Sequence, residues 1–239
     1  MNDKVKKLFH ISIVSFFIVL FVGGILTELG FIKNPPSWPP NIFMLLGSLI
    51  ILIFSEKKLL IFLLIAGVVG FIYELIGVKS GLLFGNYHYT DVFNIKLFTI
   101  PIVMISAWII ILNFTLSFIE NIQKKYFILV GAIIMVVVDL LIDPVAVHGL
   151  NIWEWDNSGK YYGIPSHNFL GWFLLSITIL IPFQFINYRI TLLSRLLSIM
   201  VLGFFSIIGF INNIYLASFI GTFTLSLNIL LLYKSSVQK

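Results

Sequence analysis

The sequence predicts an all-α protein, a polytopic integral membrane bundle of about eight helices with both termini in the cytoplasm. Three observations predict it. Hydrophobic residues make up 59% of the chain and charged residues only 10%, with a mean hydropathy of +1.07, whereas an ordinary soluble domain carries about 25% charged residues. Eight apolar runs follow one another along 239 residues, and each crossing of a bilayer takes about 20 apolar residues. Basic residues also alternate from loop to loop. A single transmembrane domain over residues 1–239 uses up the length, in a multi-pass protein of the cell membrane.

The first run covers residues 10–31, behind Lys4, Lys6 and Lys7. It reads as a retained helix rather than a signal peptide, since no small-residue cleavage site follows it. The second run, 38–54, is short. Its approach, Asn34-Pro35-Pro36-Ser37-Trp38-Pro39-Pro40, is extended, because each proline disfavours helix in the residue before it. The remaining runs are 59–78, 98–119, 126–143, 169–187, 196–211 and 214–233. Pro144 is expected to end the fifth. Only Asn212-Asn213 separates the last two.

With eight spans, the inner segments hold eleven basic residues: Lys4, Lys6, Lys7, Lys57, Lys58, Lys124, Lys125, Arg189, Arg195, Lys234 and Lys239. The outer segments hold four: Lys33, Lys79, Lys96 and Lys160. The positive-inside rule then places both termini in the cytoplasm. A count of seven, with 38–54 re-entrant or the last two runs forming one kinked element, breaks this alternation. The net charge of +5 is dispersed over short loops, which argues against a nucleic-acid partner. There are no cysteines, so disulfides, thiolate metal sites and cysteine nucleophiles are excluded.

Four acids lie in or at the end of apolar runs: Glu28, Glu74, Asp139 and Asp143. Ionisable groups at membrane depth are expensive, so they are expected to face the bundle interior and mark function. All four sit in the outward halves of spans one, three and five, and should converge on one polar cavity. Each lies towards a helix C-terminus, where burial and the macrodipole both disfavour charge. A neutral carboxylic acid is what a general acid must be. Asp139 and Asp143 are four residues apart and share one helix face.

The two long outer loops, about 79–97 and 144–168, are rich in Gly, His and aromatic residues. The first contains Gly81-Leu82-Leu83-Phe84-Gly85-Asn86-Tyr87-His88-Tyr89. The second contains Trp153-Glu154-Trp155 and Tyr161-Tyr162-Gly163-Ile164-Pro165, and leads into Asn168 and Gly171-Trp172. Each half of this region runs from an acid through such a loop to a proline, and to a tryptophan seven residues on: Pro101 to Trp108 and Pro165 to Trp172. The pattern suggests a pseudo-repeat of helix pairs. His88, His148 and His167 show no metal-ligand spacing, so no metal and no cofactor are expected.

The strings E-x-x-G-V-x-x-G-x-x-F-G-x-Y-x-Y, D-x-x-x-D-P, W-x-W and Y-Y-G-I-P-x-x-N-F-x-G-W occur in that order. They resemble the membrane-bound carotenoid biosynthesis proteins, a family that includes the carotenoid hydratases of the bacterioruberin and gamma-carotene pathways. The resemblance covers a motif-bearing core at residues 70–172. It implies a multi-span enzyme that adds water to the terminal isopropylidene double bond of a long polyene.

Such a hydration needs an acid to protonate the less substituted carbon, a site that tolerates the tertiary cation, and water delivered on demand. Asp139 or Asp143 is expected to be the acid, and Glu74 to position water or act as its base. Tyr87, Tyr89, Trp153, Trp155, Tyr162 and Trp172 are expected to line the substrate slot, because aromatic faces attract cations by about 0.5–2 kcal/mol each. The expected partners are a carotenoid or other polyisoprenoid, membrane lipid, and water as co-substrate. Polyene cyclisation, magnesium-dependent prenyl transfer through Asp139-x-x-x-Asp143, and a non-enzymatic transporter or channel are the alternatives. Against transport, the inward halves of the spans hold few ionisable groups.

Overall fold

The computed structural model describes residues 3–237. Lys239, one of the eleven inner cations, lies outside them. Among the described residues there are eight helices: α1 (Asp3–Glu28), α2 (Pro39–Ile53), α3 (Lys57–Ser80), α4 (Met104–Ile119), α5 (Lys124–His148), α6 (Ser166–Leu180), α7 (Leu192–Ile211) and α8 (Tyr215–Val237). A 3-10 turn, Ile181–Phe185, continues α6. Six of these helices, α6 counted together with its 3-10 turn, are long and apolar enough to cross a membrane. The other two, α2 and α4, have 15 and 16 residues. At 1.5 Å per residue each is about 22–24 Å long, short of a hydrocarbon core of about 30 Å.

The connections gather at two ends of the bundle. At one end Asn41 donates to Asn94 at 3.2 Å, Thr90 donates to the Asn151 carbonyl at 2.5 Å, and the Leu216 amide donates to the Tyr162 hydroxyl at 3.2 Å. At the other, the rings of His10 and Phe54 lie 4.7 Å apart, those of Phe62 and Phe183 5.6 Å apart, and the Ile190 amide donates to Glu120 at 3.0 Å. Lys57, Lys58, Lys124 and Lys125 start helices at this second end. Successive helices therefore run in alternating directions, with the long aromatic loops together at the first end. At the bundle centre, α4 packs against α2, α3, α5 and α7 and buries thirteen of its sixteen residues, as expected of a helix apolar on every side. By contrast α1 is peripheral, with only Phe17 and Leu20 buried.

Several expectations need correction. Pro144 does not end the fifth helix, which continues to His148. Proline removes the amide that would have served the carbonyl four residues earlier. That carbonyl, of Leu140, instead accepts from the Tyr161 hydroxyl at 2.8 Å. Tyr161→Phe is therefore expected to cost about 0.5–1.5 kcal/mol, read as a lowered thermal midpoint in detergent. An unchanged midpoint would show that solvent serves this carbonyl equally well.

The fourth helix starts at Met104 rather than residue 98. Before it, β2 (Lys96–Leu97) and β3 (Ile100–Pro101) pair antiparallel around Phe98 and Thr99, whose φ values are 51° and 77°. Positive φ at both central residues gives the turn the twist a two-residue hairpin needs. A second ribbon joins β1 (Tyr87–Tyr89) to β4 (Trp153–Trp155). Arg195, counted above among the inner cations, is not a loop charge. It sits buried in the first turn of α7 and pairs with Glu120 at 2.8 Å.

Candidate active site

The β1–β4 ribbon organises the site. Its register sets Tyr87 opposite Trp155, His88 opposite Glu154, and Tyr89 opposite Trp153. Side chains alternate across a strand, so Tyr87, Tyr89, Trp153 and Trp155 share one face. That face is turned inward, while His88 and Glu154 are exposed. On the outer face His88 lies 3.6 Å from Glu154 and 3.4 Å from Asp156. The inner rings interlock, with centroids 4.9 Å apart for Tyr87 and Trp155 and 5.9 Å for Tyr89 and Trp153.

Beneath the ribbon lie the C-terminal turns of α3 and α5, each carrying an acid. Glu74 accepts hydrogen bonds on Oε2 from the hydroxyls of Tyr87 and Tyr89, the latter at 2.8 Å. Asp143 accepts on Oδ1 from the Trp153 indole N–H at 3.0 Å. Asn168, in the first turn of α6, donates from Nδ2 to Oδ2 of Asp143 at 2.5 Å and to Oδ2 of Asp139 at 2.9 Å. Glu74, Asp139 and Asp143 are all buried, at 8%, 0% and 2% exposure. Their donors are neutral groups: two phenols, an indole and an amide.

Glu74 and Asp143 open into one cavity of about 60 Å3, partly open to its surroundings. Its remaining walls are mostly apolar, including Met44, Phe93, Met104, Trp108 and Trp172. The two tryptophans stack with centroids 4.6 Å apart and planes at 22°. The units α3–β1–α4 and α5–β4–α6 thus match. Each has a helix with an acid in its last two turns under the ribbon, one ribbon strand, and a returning helix whose tryptophan meets its counterpart. Two motif glycines allow the close fit. A Cβ on Gly77 would lie 2.5 Å from the Phe84 ring, and one on Gly171 would collide with the Leu83 carbonyl.

The structure brings together Glu74, Asp143, Tyr87, Tyr89, Trp153, Trp155 and Trp172 of the expected set. Asp139 lies one helical turn away behind Asn168, off the cavity wall, and its Oδ1 is buried without a hydrogen-bond partner. Tyr162 is also off the wall. Its carbonyl pairs with the His148 ring at 2.7 Å, and its hydroxyl accepts from the Leu216 amide. Glu28 does not join the other acids: it lines a neighbouring cavity between α1 and α7. Asn168 and Trp108 were absent from the expected site. Asn168 carried a signal, its place in the last motif string. Trp108 carried a weaker one, its spacing from Pro101. Among the described residues, no three His, Asp or Glu side chains are grouped closely enough to hold a metal ion.

Two carboxyl groups with neutral hydrogen-bond donors, set in an aromatic chamber, can give and take protons and can tolerate a carbocation nearby. No curated protein and no solved structure matches the chain. The family model described as carotenoid biosynthesis protein matches residues 41–233, about four-fifths of the sequence, including the whole ribbon, both tryptophans and the three buried acids. The chain belongs to the family of carotenoid biosynthesis proteins.

Proposed function

We propose that the protein hydrates the terminal isopropylidene double bond of a long acyclic polyene. The observation that carries this reading is the opening of Glu74 and Asp143 into one aromatic cavity beneath the β1–β4 ribbon. Asp143 is the acid. It passes its proton to the less substituted alkene carbon, leaving a tertiary cation among Trp153, Trp155, Tyr87 and Trp172. Water adds to the cation, and its surplus proton goes to Glu74, so that one water is gained and no charge is left on the product. A proton transfer from Glu74 back to Asp143 resets the site.

The shared Asn168 amide supports the acid role. Two carboxyl groups of one helix are held on a single amide nitrogen, at 2.9 Å and 2.5 Å, which fixes the Asp143 carboxyl at the cavity wall. Asp139 is then the second member of the pair and acts through Asn168 and Asp143, not on the substrate. The phenols of Tyr87 and Tyr89 hold the Glu74 carboxyl at the cavity wall, where a base that takes a proton from water must stand. With both termini cytoplasmic in the cell membrane, the ribbon faces outward. Water then reaches the cavity from outside and the polyene reaches it from lipid.

The test is expression in a host that makes acyclic carotenes, with product masses read by chromatography. The expected product is heavier than the substrate by one water. A product of unchanged mass would instead identify a cyclase. Folded protein that yields no new carotenoid would remove the assignment for these substrates.

A further inference from the structure

A second and larger cavity, of about 280 Å3, lies against the first. Four buried side chains line both: Met44 of α2, Phe93, Ile152 and Phe205 of α7. The second cavity extends along α1 from Val19 to Glu28, about 14 Å of helix. The proline segment Pro35–Pro40 closes it at one end, and Phe43 and Phe204 back it. Thr27 and Glu28 are the only polar side chains among its lining residues. Val19 and Ile32 on its rim are 63% and 38% exposed, so it opens on the lipid-facing flank of the bundle.

The two adjacent glycines of α1 differ in their surroundings. A Cβ on Gly24 would lie 2.7 Å from the Phe204 ring, so packing requires that glycine. A Cβ on Gly23 would meet nothing within 4 Å. Glycine weakens a helix interior, and Gly23 has no protein contact that demands it. What it leaves is space on the cavity wall.

We infer that the second cavity holds the body of a long linear isoprenoid chain, which lies along α1 while its terminal isopropylidene passes the Met44–Phe93–Ile152–Phe205 constriction to reach Glu74 and Asp143. This rests on the function proposed above and adds to it the path of the substrate. The walls are hydrocarbon and aromatic, as a polyene requires. The cavity is open to lipid, where such a chain dissolves, and only side chains separate it from the acids. An end group can pass when Met44 and Phe205 turn, while the rest of the chain stays outside. The acids are thereby confined to the terminal double bond, although the interior of a polyene offers many more.

The test uses the full chain extracted in detergent from membranes loaded with an acyclic carotene and washed free of lipid, so that the pigment left behind is held by protein. Retained pigment is read by absorbance and product by mass. Gly23→Ala adds a Cβ that meets no protein atom within 4 Å, and Gly23→Leu extends from that point along the cavity, so both variants should unfold no more readily than wild type. Retention should fall with side-chain size, by about tenfold or more for leucine, since one misplaced methylene in an apolar pocket already has an effect of this order. A folded Gly23→Leu protein that retains and converts carotene like wild type overturns the inference, as does wild-type protein that retains none. If wild type retains carotene, Gly23→Leu loses it, and no hydrated product forms, the chain path stands and the hydration reading falls.

Discussion

Asp143→Asn is expected to lower hydration of an acyclic carotene by at least about 100-fold, the usual range for loss of a positioned general acid. The substitution keeps shape. The side-chain oxygen of asparagine can still accept from the Trp153 indole, which is 3.0 Å from Asp143 Oδ1. The new amide nitrogen would face Asn168 Nδ2, which now donates to Asp143 at 2.5 Å. A half-turn of the Asn168 amide presents its oxygen instead, and a protonated Asp139, which now accepts from the Asn168 nitrogen at 2.9 Å, then donates to that oxygen. Stability measured by thermal unfolding should therefore change little, and carotene should remain bound. Glu74→Gln should also slow turnover, since the amide oxygen still accepts from Tyr87 and Tyr89 but takes no proton from water. Asp139→Asn should have a smaller effect than either, because Asp139 is set back behind Asn168. Near wild-type turnover in both Asp143→Asn and Glu74→Gln would remove the acid–base roles and leave the fold and the cavity intact.

This ordering of the three acids could not be drawn from the sequence. The acids themselves were legible, because an ionisable side chain in an apolar run is anomalous wherever it points. Spacing put Asp139 and Asp143 on one helix face, but a cavity wall takes in only part of that face, and only Asp143 reaches it. Glu28 satisfied the same criterion and lies in the other cavity, because span number and depth say nothing of where a helix stands around the bundle. Tyr-x-Tyr and Trp-x-Trp each carry the period of a strand, yet their pairing joins segments more than sixty residues apart and leaves no local trace. The apolar run 98–103 resembled the start of a helix because the segment buries Ile100, Pro101 and Val103, and a short apolar run alone does not tell a ribbon from a helix. Pro144 was misjudged because the rule that it ends a helix assumes an unserved carbonyl, and Tyr161 serves this one. Arg195 was read as a loop charge because apolar runs predict where a helix begins only to within a turn.

Arg195 also carries the largest expected effect on stability. Its Nη2 donates to the Ser117 carbonyl at 2.9 Å and to Glu120 Oε2 at 2.8 Å. The other Glu120 oxygen accepts from the Ile190 amide at 3.0 Å, and the Ser117 hydroxyl accepts from Asn228 of α8 at 2.9 Å. One polar network thus ties α4, the approach to α7, and α8 together at the end of the bundle away from the ribbon. The pair is well shielded, with side-chain exposures of 5% for Arg195 and 19% for Glu120. Arg195→Met should therefore cost about 3–5 kcal/mol, the usual penalty for leaving one buried charge without its partner. Adding Glu120→Gln should recover part of that loss, because the glutamine oxygen can still accept from Ile190 while the stranded charge is gone. The readout is unfolding in detergent, as a double-mutant cycle, with turnover per folded molecule unchanged in all three variants. A loss below about 1 kcal/mol, with no recovery in the double variant, would mean the pair behaves as a solvated surface bridge. The bundle would then be held at that end by apolar packing alone.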